Sequence, residues 1–446
     1  MVNDLRELLR HNVASPPHDN LDLGAVLAGG RSRVRRRRRR LAALSGTALA
    51  TAAIVVTGSL ASLDARPPDF AAAGVPRPDA PMLRLADAVA AAEGTDYRVL
   101  TSYTNEDLDR DNGQYFEGVT DDGLILFRDG PRMDQSRPRF ALMDPASGEK
   151  DWLPDHDIGQ AQTWPLELGE DRLMLLAAEG GMKVELVVHV FDRERRQWGA
   201  MKWPSLPAVE DPFGAVLGPD QRLYVPVPAT QGRPPKTGWP MGPDGEADDA
   251  DAAGDTYRLW SASLTDISDV RNEGLTVGSV AFTDHSMVWT DSTNGDSGRV
   301  HVRDLETGEE HSFDPRSGEK CNLLSLGATD DRIVMGQYCG TYAGGVRDDR
   351  VQVLGTDGDQ VVTLQASGID GALTSDAGDG LVTVTSYESD GAGTYVYDLD
   401  SGRFLRITED VSSWTTSGPT QEGQFLWNTP ENMGRGMTQH LGELID

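Results

Sequence analysis

The chain has 446 residues, with 41 Lys+Arg against 71 Asp+Glu and a formal net charge of −30. A chain this acidic lacks the basic stripe that duplex nucleic acid requires, so no nucleic-acid partner is expected. Two cysteines exclude a disulfide-rich scaffold and any multi-cysteine zinc module.

The charge is unevenly placed. Residues 1–40 hold ten Arg against four acids, a net of +6, and end in the run Arg35 to Arg40. Leu5, Leu8 and Leu9 in NDLRELLRHN have helical spacing, and Pro16-Pro17 breaks that pattern. Residues 41–63, LAALSGTALATAAIVVTGSLASL, carry no ionisable side chain. At about 1.5 Å per residue, a helix of this length spans a hydrocarbon core of roughly 30 Å. The Arg run before it places the N-terminus in the cytoplasm by the positive-inside rule. The expectation is a single-pass cell-membrane protein with the C-terminus extracytoplasmic. Its parts are a basic cytoplasmic tail (1–40), a transmembrane helix (41–63, Leu41 to Leu63), a Pro/Ala-rich stalk (64–94) and an extracytoplasmic body (95–446). A cleaved twin-arginine export signal opened by Arg39-Arg40-Leu41 is the rival reading. The long leader, and the lack of a small-x-small site before Asp64, favour a retained anchor. Leu83 to Ala92 reads as a short helix leading into the body.

From about Thr95 the pattern changes to short strands separated by polar turns. Seven segments repeat a turn followed by a strand: TDDG-LILF, GED-RLMLL, GPDQ-RLYVPV, TDH-SMVWT, TDD-RIVMGQY, GDG-LVTVTSY and QEG-QFLW. Their first apolar strand residues are Leu124, Leu173, Leu223, Met287, Ile333, Leu381 and Phe425, at intervals of 49, 50, 64, 46, 48 and 44. The one long interval holds GRPPKTGWPMGPDGEADDADAAGD, which reads as a disordered, solvated acidic loop. In phase with these, FALMDPASGEK, VHVRDLETGEE and YVYDLDSGRFL share strand–Asp–x–x–Ser/Thr–Gly–strand, with Gly148, Gly308 and Gly402 at the left-handed position of a hairpin. A period of 45–50 residues with four strands each predicts an all-β, seven-bladed β-propeller, with six or eight blades as the neighbouring counts. The strand Tyr97 to Thr101 is expected to supply the outer strand of the last blade and close the ring.

Cys321 and Cys339 flank the fifth hairpin symmetrically about residue 330, which predicts a cross-strand disulfide of the kind that persists in an oxidising exterior. Chemistry is less legible. The eight His are scattered as strand-face or surface residues, no serine sits in a nucleophile elbow, and no phosphate-binding glycine loop precedes a helix. Asp107, Asp109 and Asp111 alternate as calcium ligands do. Their glycine falls one place late, however, and no acid sits at the twelfth position, so they read as a solvated acidic turn. No cofactor is expected. Long polar connections after each second strand gather on one face, where binding usually resides, and place Arg128, Arg132, Asn294, Tyr342, Tyr387 and Asn428 as ligand-face candidates.

The hairpins, above all ALMDPASGEKDW with Trp152, resemble blades of the PQQ-like and WD40-like propeller superfamily over residues 95–446. The vicinal cysteine pair of quinoprotein dehydrogenases is missing. The layout of tail, Arg run, anchor and propeller resembles actinobacterial membrane proteins, some of them associated with extracytoplasmic-function sigma factors. The resemblance implies a binding or sensing module with an envelope ligand or protein on the propeller and a cytoplasmic partner for the tail. An envelope assembly scaffold, or a propeller hydrolase or quinoprotein-like enzyme, is the alternative.

Overall fold

A computed structural model describes residues 81–446 except 107–112, 131–137, 159–162, 181–183, 210–213, 233–239, 243–247, 251, 316–320, 330–331, 342–346, 367–368, 374–379, 388–390, 413–417 and 446. The expected tail, membrane helix and most of the stalk lie outside these residues. Among the described residues no helix is long and apolar enough to cross a membrane.

Six of the polar turns found in the sequence join the first two strands of one antiparallel sheet, the seventh leads into the first strand of a three-stranded sheet, and there are seven sheets among the described residues. Blade 1 is Tyr115–Val119, Ile125–Asp129, Arg139–Met143 and Lys150–Trp152; blade 2 is Thr163–Leu168, Arg172–Gly180, Val184–Asp192 and Gln197–Lys202. Blade 3 is Val216–Gly218, Arg222–Thr230, Thr256–Ser263 and Val270–Val277; blade 4 is Val280–Phe282, Ser286–Thr290, Val300–Asp304 and Glu310–Phe313. Blade 5 is Asn322–Thr329, Arg332–Thr341, Arg347–Gly355 and Gln360–Ala366; blade 6 is Ile369–Leu373, Leu381–Ser386, Gly393–Asp398 and Phe404–Thr408. Blade 7 joins Gln424–Glu431 and Gly436–Leu444 to a strand from the other end of the chain, Tyr97–Asn105. That closure is the expected one, with the strand extending four residues beyond Thr101.

The core is seven clusters, one at every interface between successive blades. Alternate side chains of a strand point to opposite faces. In blade 2, Leu173 and Leu175 therefore pack toward blade 1, while Met174 and Leu176 pack toward blade 3. Both faces are buried, which is why segments such as LMLL are continuously apolar rather than alternating. The cluster of Phe116, Ile125 and Phe127 with Leu426 and Leu441 joins blade 1 to blade 7 and completes the ring.

The Asp–Gly hairpins join third and fourth strands as expected. Oδ1 of Asp304 accepts from the backbone N–H of Glu306 and Thr307 at 3.0 and 2.7 Å, while Gly308 holds φ +73° and donates to Asp304 O at 2.9 Å. Asp144 with Gly148 and Asp398 with Gly402 repeat this geometry. Cys321 and Cys339 form the expected disulfide, with Cα atoms 4.3 Å apart.

Two expectations are corrected. Leu83 to Ala92 is not a helix. It is the strand β1 (Met82–Arg84), a single 3-10 turn (Leu85–Asp87) and the strand β2 (Val89–Ala90). β1 pairs in parallel with the outer strand of blade 5, and β2 in parallel with the outer strand of blade 6. The chain then enters β3 (Tyr97–Asn105), the closing strand of blade 7. Hairpins cannot produce parallel neighbours, so this segment crosses the outer rim as a strap. The long acidic insertion is also not solvated throughout. Its end folds back on blade 4, where Asp255 and Thr293 exchange backbone hydrogen bonds of 2.6 and 3.0 Å and Asp296 donates to Ala252 O at 2.9 Å.

Candidate functional site

The inner strands converge on a central cavity of about 570 Å³, lined by blades 1 to 5 and by Pro419–Gln421 at the start of blade 7. This volume lies within the range of small-molecule sites. Its walls are apolar, with Leu166, Leu217, Val280 and Ala281 among them, and its mouth is polar, carrying Asp121, Glu167, Gln221, Asp284 and Gln421. Asp121, Gln221 and Asp284 lie at the short turns between first and second strands, Glu167 near the end of a first strand, and Gln421 just before Gln424–Glu431.

The turns are tied to one another around the mouth. Gln421 of blade 7 donates to the carbonyls of Thr120 and Asp121 in blade 1 at 3.2 and 2.8 Å. Arg193 of blade 2 reaches back to Asp122 through two bonds of 2.8 Å and to Gly169 O at 3.0 Å. Arg172 grips Glu167 at 2.7 and 2.9 Å and also donates to Gln221 of blade 3. A collar held in this way presents its carboxylates at fixed positions.

Adjacent acids in one turn are driven apart. Hydrogen bonds from Arg193 hold the Asp122 carboxyl below the usual carboxylate range. Burial, with Glu167 and then Asp122 beside it, pushes Asp121 up. Among the described residues no cation lies within hydrogen-bond reach of Asp121. A carboxylate flanked by two others, with Arg193 the one nearby charge acting the other way, is relieved by an incoming positive charge.

The ligand-face candidates lie on the opposite side, and the structure does not bring them together. Arg128 pairs with Glu117 and lies over the Tyr115 ring at 4.7 Å. Asn294, at φ +53°, donates to Asp255 at 3.0 Å and so holds the blade 3 insertion down. Asn428 is buried in blade 7 opposite Gln439, and Tyr387 is half-buried after the second strand of blade 6. Both already have partners within the fold. Arg132, Tyr342, and Asp107, Asp109 and Asp111 lie outside the described residues. Sequence reading passed over the collar because its acids looked like turn punctuation. The available signal was their recurrence in TDDG, GED, GPDQ, TDH, TDD and QEG, one turn per blade.

No protein-family model matches the chain, and no curated protein is similar to it in sequence. Several solved structures are similar in fold. An oligogalacturonate lyase in complex with manganese is 13% identical with a TM-score of 0.49, covering 80% of this chain and 99% of its own. An oligogalacturonate lyase from Vibrio parahaemolyticus is 11% identical with a TM-score of 0.46, covering 79% and 98%. A prolyl endopeptidase is 14% identical with a TM-score of 0.42, covering 72% of this chain and 44% of its own. The seven sheets, with a core cluster between each successive pair, describe a seven-bladed β-propeller.

Proposed function

We propose that this protein is a membrane-anchored, extracytoplasmic binding module that takes a cationic group into the mouth of its central cavity. The observation that carries the reading is the collar: a cavity of ligand size whose rim holds Asp121, with no cation in hydrogen-bond reach among the described residues, next to carboxylates fixed by Arg172 and Arg193. The uncharged stretch 41–63 behind six consecutive Arg supports the anchor, and the disulfide supports an oxidising exterior. An ammonium or guanidinium group suits the site, since charge-assisted hydrogen bonds to carboxylates are the strong ones. The layout of the chain further supports a sensor whose tail reports to a cytoplasmic partner, with a sigma factor as the candidate.

The test is a calorimetric titration of the purified chain with polyamines and short Lys- and Arg-containing peptides. Saturable binding is expected, weakened roughly tenfold by Asp121→Asn. Ala281→Leu, which narrows the cavity without touching a charge, should weaken it as well. Binding that both variants leave unchanged removes the cavity from the reading. Titrations in which no cationic probe saturates remove the ligand class.

A further inference from the structure

The strap is the least integrated part of the described fold. It meets blade 5 through three Cα pairs, Met82 with Thr363, Leu83 with Leu364 and Arg84 with Gln365. It meets blade 6 through only two, Val89 with Leu405 and Ala90 with Arg406. The inter-element hydrogen bonds at its ends are Thr363 N–H to Pro81 O and Ala91 N–H to Arg406 O, both 2.9 Å. β2 is exposed throughout, and Leu85 is the single buried side chain of the segment.

Leu85 occupies a definite seat. It joins the apolar cluster between blades 5 and 6, with Val384, Tyr395 and Phe404. A β-carbon built on Gly391 would stand 3.5 Å from Leu85 Cδ1, so the bare backbone of Gly391 forms part of that seat. The surroundings are costly to cover. Ser386 Oγ and Arg406 Nε, both in blade 6, are buried without a hydrogen-bond partner. Each such group loses water and gains nothing in return. Docking the strap therefore rests on one buried leucine and a few edge hydrogen bonds.

The contrast with the next segment is sharp. β3 pairs with Gly436–Leu444 of blade 7 at eight positions, and the turn between β2 and β3 is fixed by Asp96, which accepts from Ala92 N–H at 2.8 Å. Asp96 O in turn accepts from Ile445 N–H at 2.9 Å. Opening can therefore run through residues 81–92 and stop there, leaving the ring closed. Partial opening of weakly held units at energies well below global unfolding is ordinary protein behaviour.

We propose that residues 81–92 are a releasable latch, and that their departure bares a strand-binding site on the outer edges of blades 5 and 6. The occupant the site is built for is this segment, whose register with both edge strands and whose Leu85 seat the fold defines. The latch lies between residues 1–80 and the ring, so anything that moves the former acts first on it.

The experiment is amide hydrogen exchange on the full-length chain, with the amides of Thr363 and Ala91 as reporters and those of Gly442 and Leu444 as references. The reporters are expected to exchange together and at least a hundredfold faster than the references. Leu85→Ala should speed the reporters a further tenfold or more and leave the references unchanged. Gly391→Val, which crowds the seat from the ring side, should do the same. A labelled peptide of residues 81–92 should bind the full-length chain, more rapidly in the Leu85→Ala background, while the same peptide carrying Leu85→Asp should not. Reporters that exchange only with the references, or a peptide that fails to bind either chain, overturn the proposal. None of these readouts depends on the cavity or its ligand.

Discussion

Histidines supply the residue-scale chemistry that the sequence left scattered. His189 lies on the third strand of blade 2, 3% exposed, with Nδ1 2.8 Å from Nε2 of His156. His156 lies flat on Trp198, ring centroids 4.9 Å apart. The third strand of blade 4 carries His301 stacked on Trp289, and Gly436–Leu444 of blade 7 carries His440 stacked on Trp427. Burial, and His156 beside it, lower His189 to about 4, and burial lowers His440 to about 4. Because the folded values lie below the unfolded one of about 6.5, the unfolded chain takes up these protons first. The stabilisation is complete above pH 6.5 and is lost as pH falls toward 4, on the order of 2 kcal/mol for each imidazole. Asp122, with its lowered carboxyl, loses its share only below its ordinary value of 3.8, and the raised Asp121 works in the opposite sense. Denaturant titrations at pH 7, 6 and 5 should show falling stability, and His189→Gln with His440→Gln should flatten that slope. An unchanged slope in the double variant would assign the acid sensitivity elsewhere. The sequence placed these residues on strand faces, but the partner of His189 comes from the linker between two blades, which no local pattern reveals.

At the scale of elements, legibility followed the locality of the cause. The Asp–Gly hairpins were readable because the turn is made by its own residues. Asp304 caps its own chain, and Gly308 adopts φ +73° with nothing within 4 Å of a built β-carbon. Gly308→Ala therefore meets no neighbour and isolates the backbone cost, expected at about 1 kcal/mol by denaturant unfolding. Asp304→Ala, which strips the accepted N–H bonds, should cost a similar amount. A neutral result for Gly308→Ala would mean that the left-handed residue is not what sets this hairpin. The disulfide shows a finer limit. Reflection about residue 330 pairs residue 321 with residue 339, yet near the turn the strands pair one step differently, Thr329 with Arg332. An irregularity between Leu323 and Ser325 absorbs that step and restores Asn322 to Tyr338, the pairing next to Cys321 and Cys339. Leu324, at the irregularity, is 50% exposed, a cost that alternation alone does not predict. The strap was misread for the complementary reason. LRLADAVAAA has helix-forming composition, and its strand state is imposed by the open edges of blades 5 and 6, more than 270 residues away in sequence.

At the scale of the whole molecule, the charge of −30 divides into a +6 segment before residue 41 and a −36 body after residue 63. Across a membrane these act separately. In the proposed membrane orientation the basic segment would be drawn to an anionic inner leaflet at about 1 kcal/mol per Arg near the surface, and the acidic ring held away from phospholipid headgroups. Adsorption of this kind is enough to occupy the tail, so a signalling role needs a contact that charge does not explain. Leu5, Leu8 and Leu9, apolar and at helical spacing in the sequence, are the place to look. Affinity capture with the full-length chain in lipid nanodiscs, from cells under envelope stress, should recover a defined cytoplasmic protein. Leu8→Glu should abolish that recovery while leaving the Arg run intact, and raising salt to about 0.5 M, where screening acts within a few ångströms, should leave it largely in place. Recovery that salt removes and Leu8→Glu spares would reduce the tail to an electrostatic anchor. Recovery of no cytoplasmic protein would leave the propeller as a binding module without a transmembrane signal, and a sigma factor would then have no physical route to it.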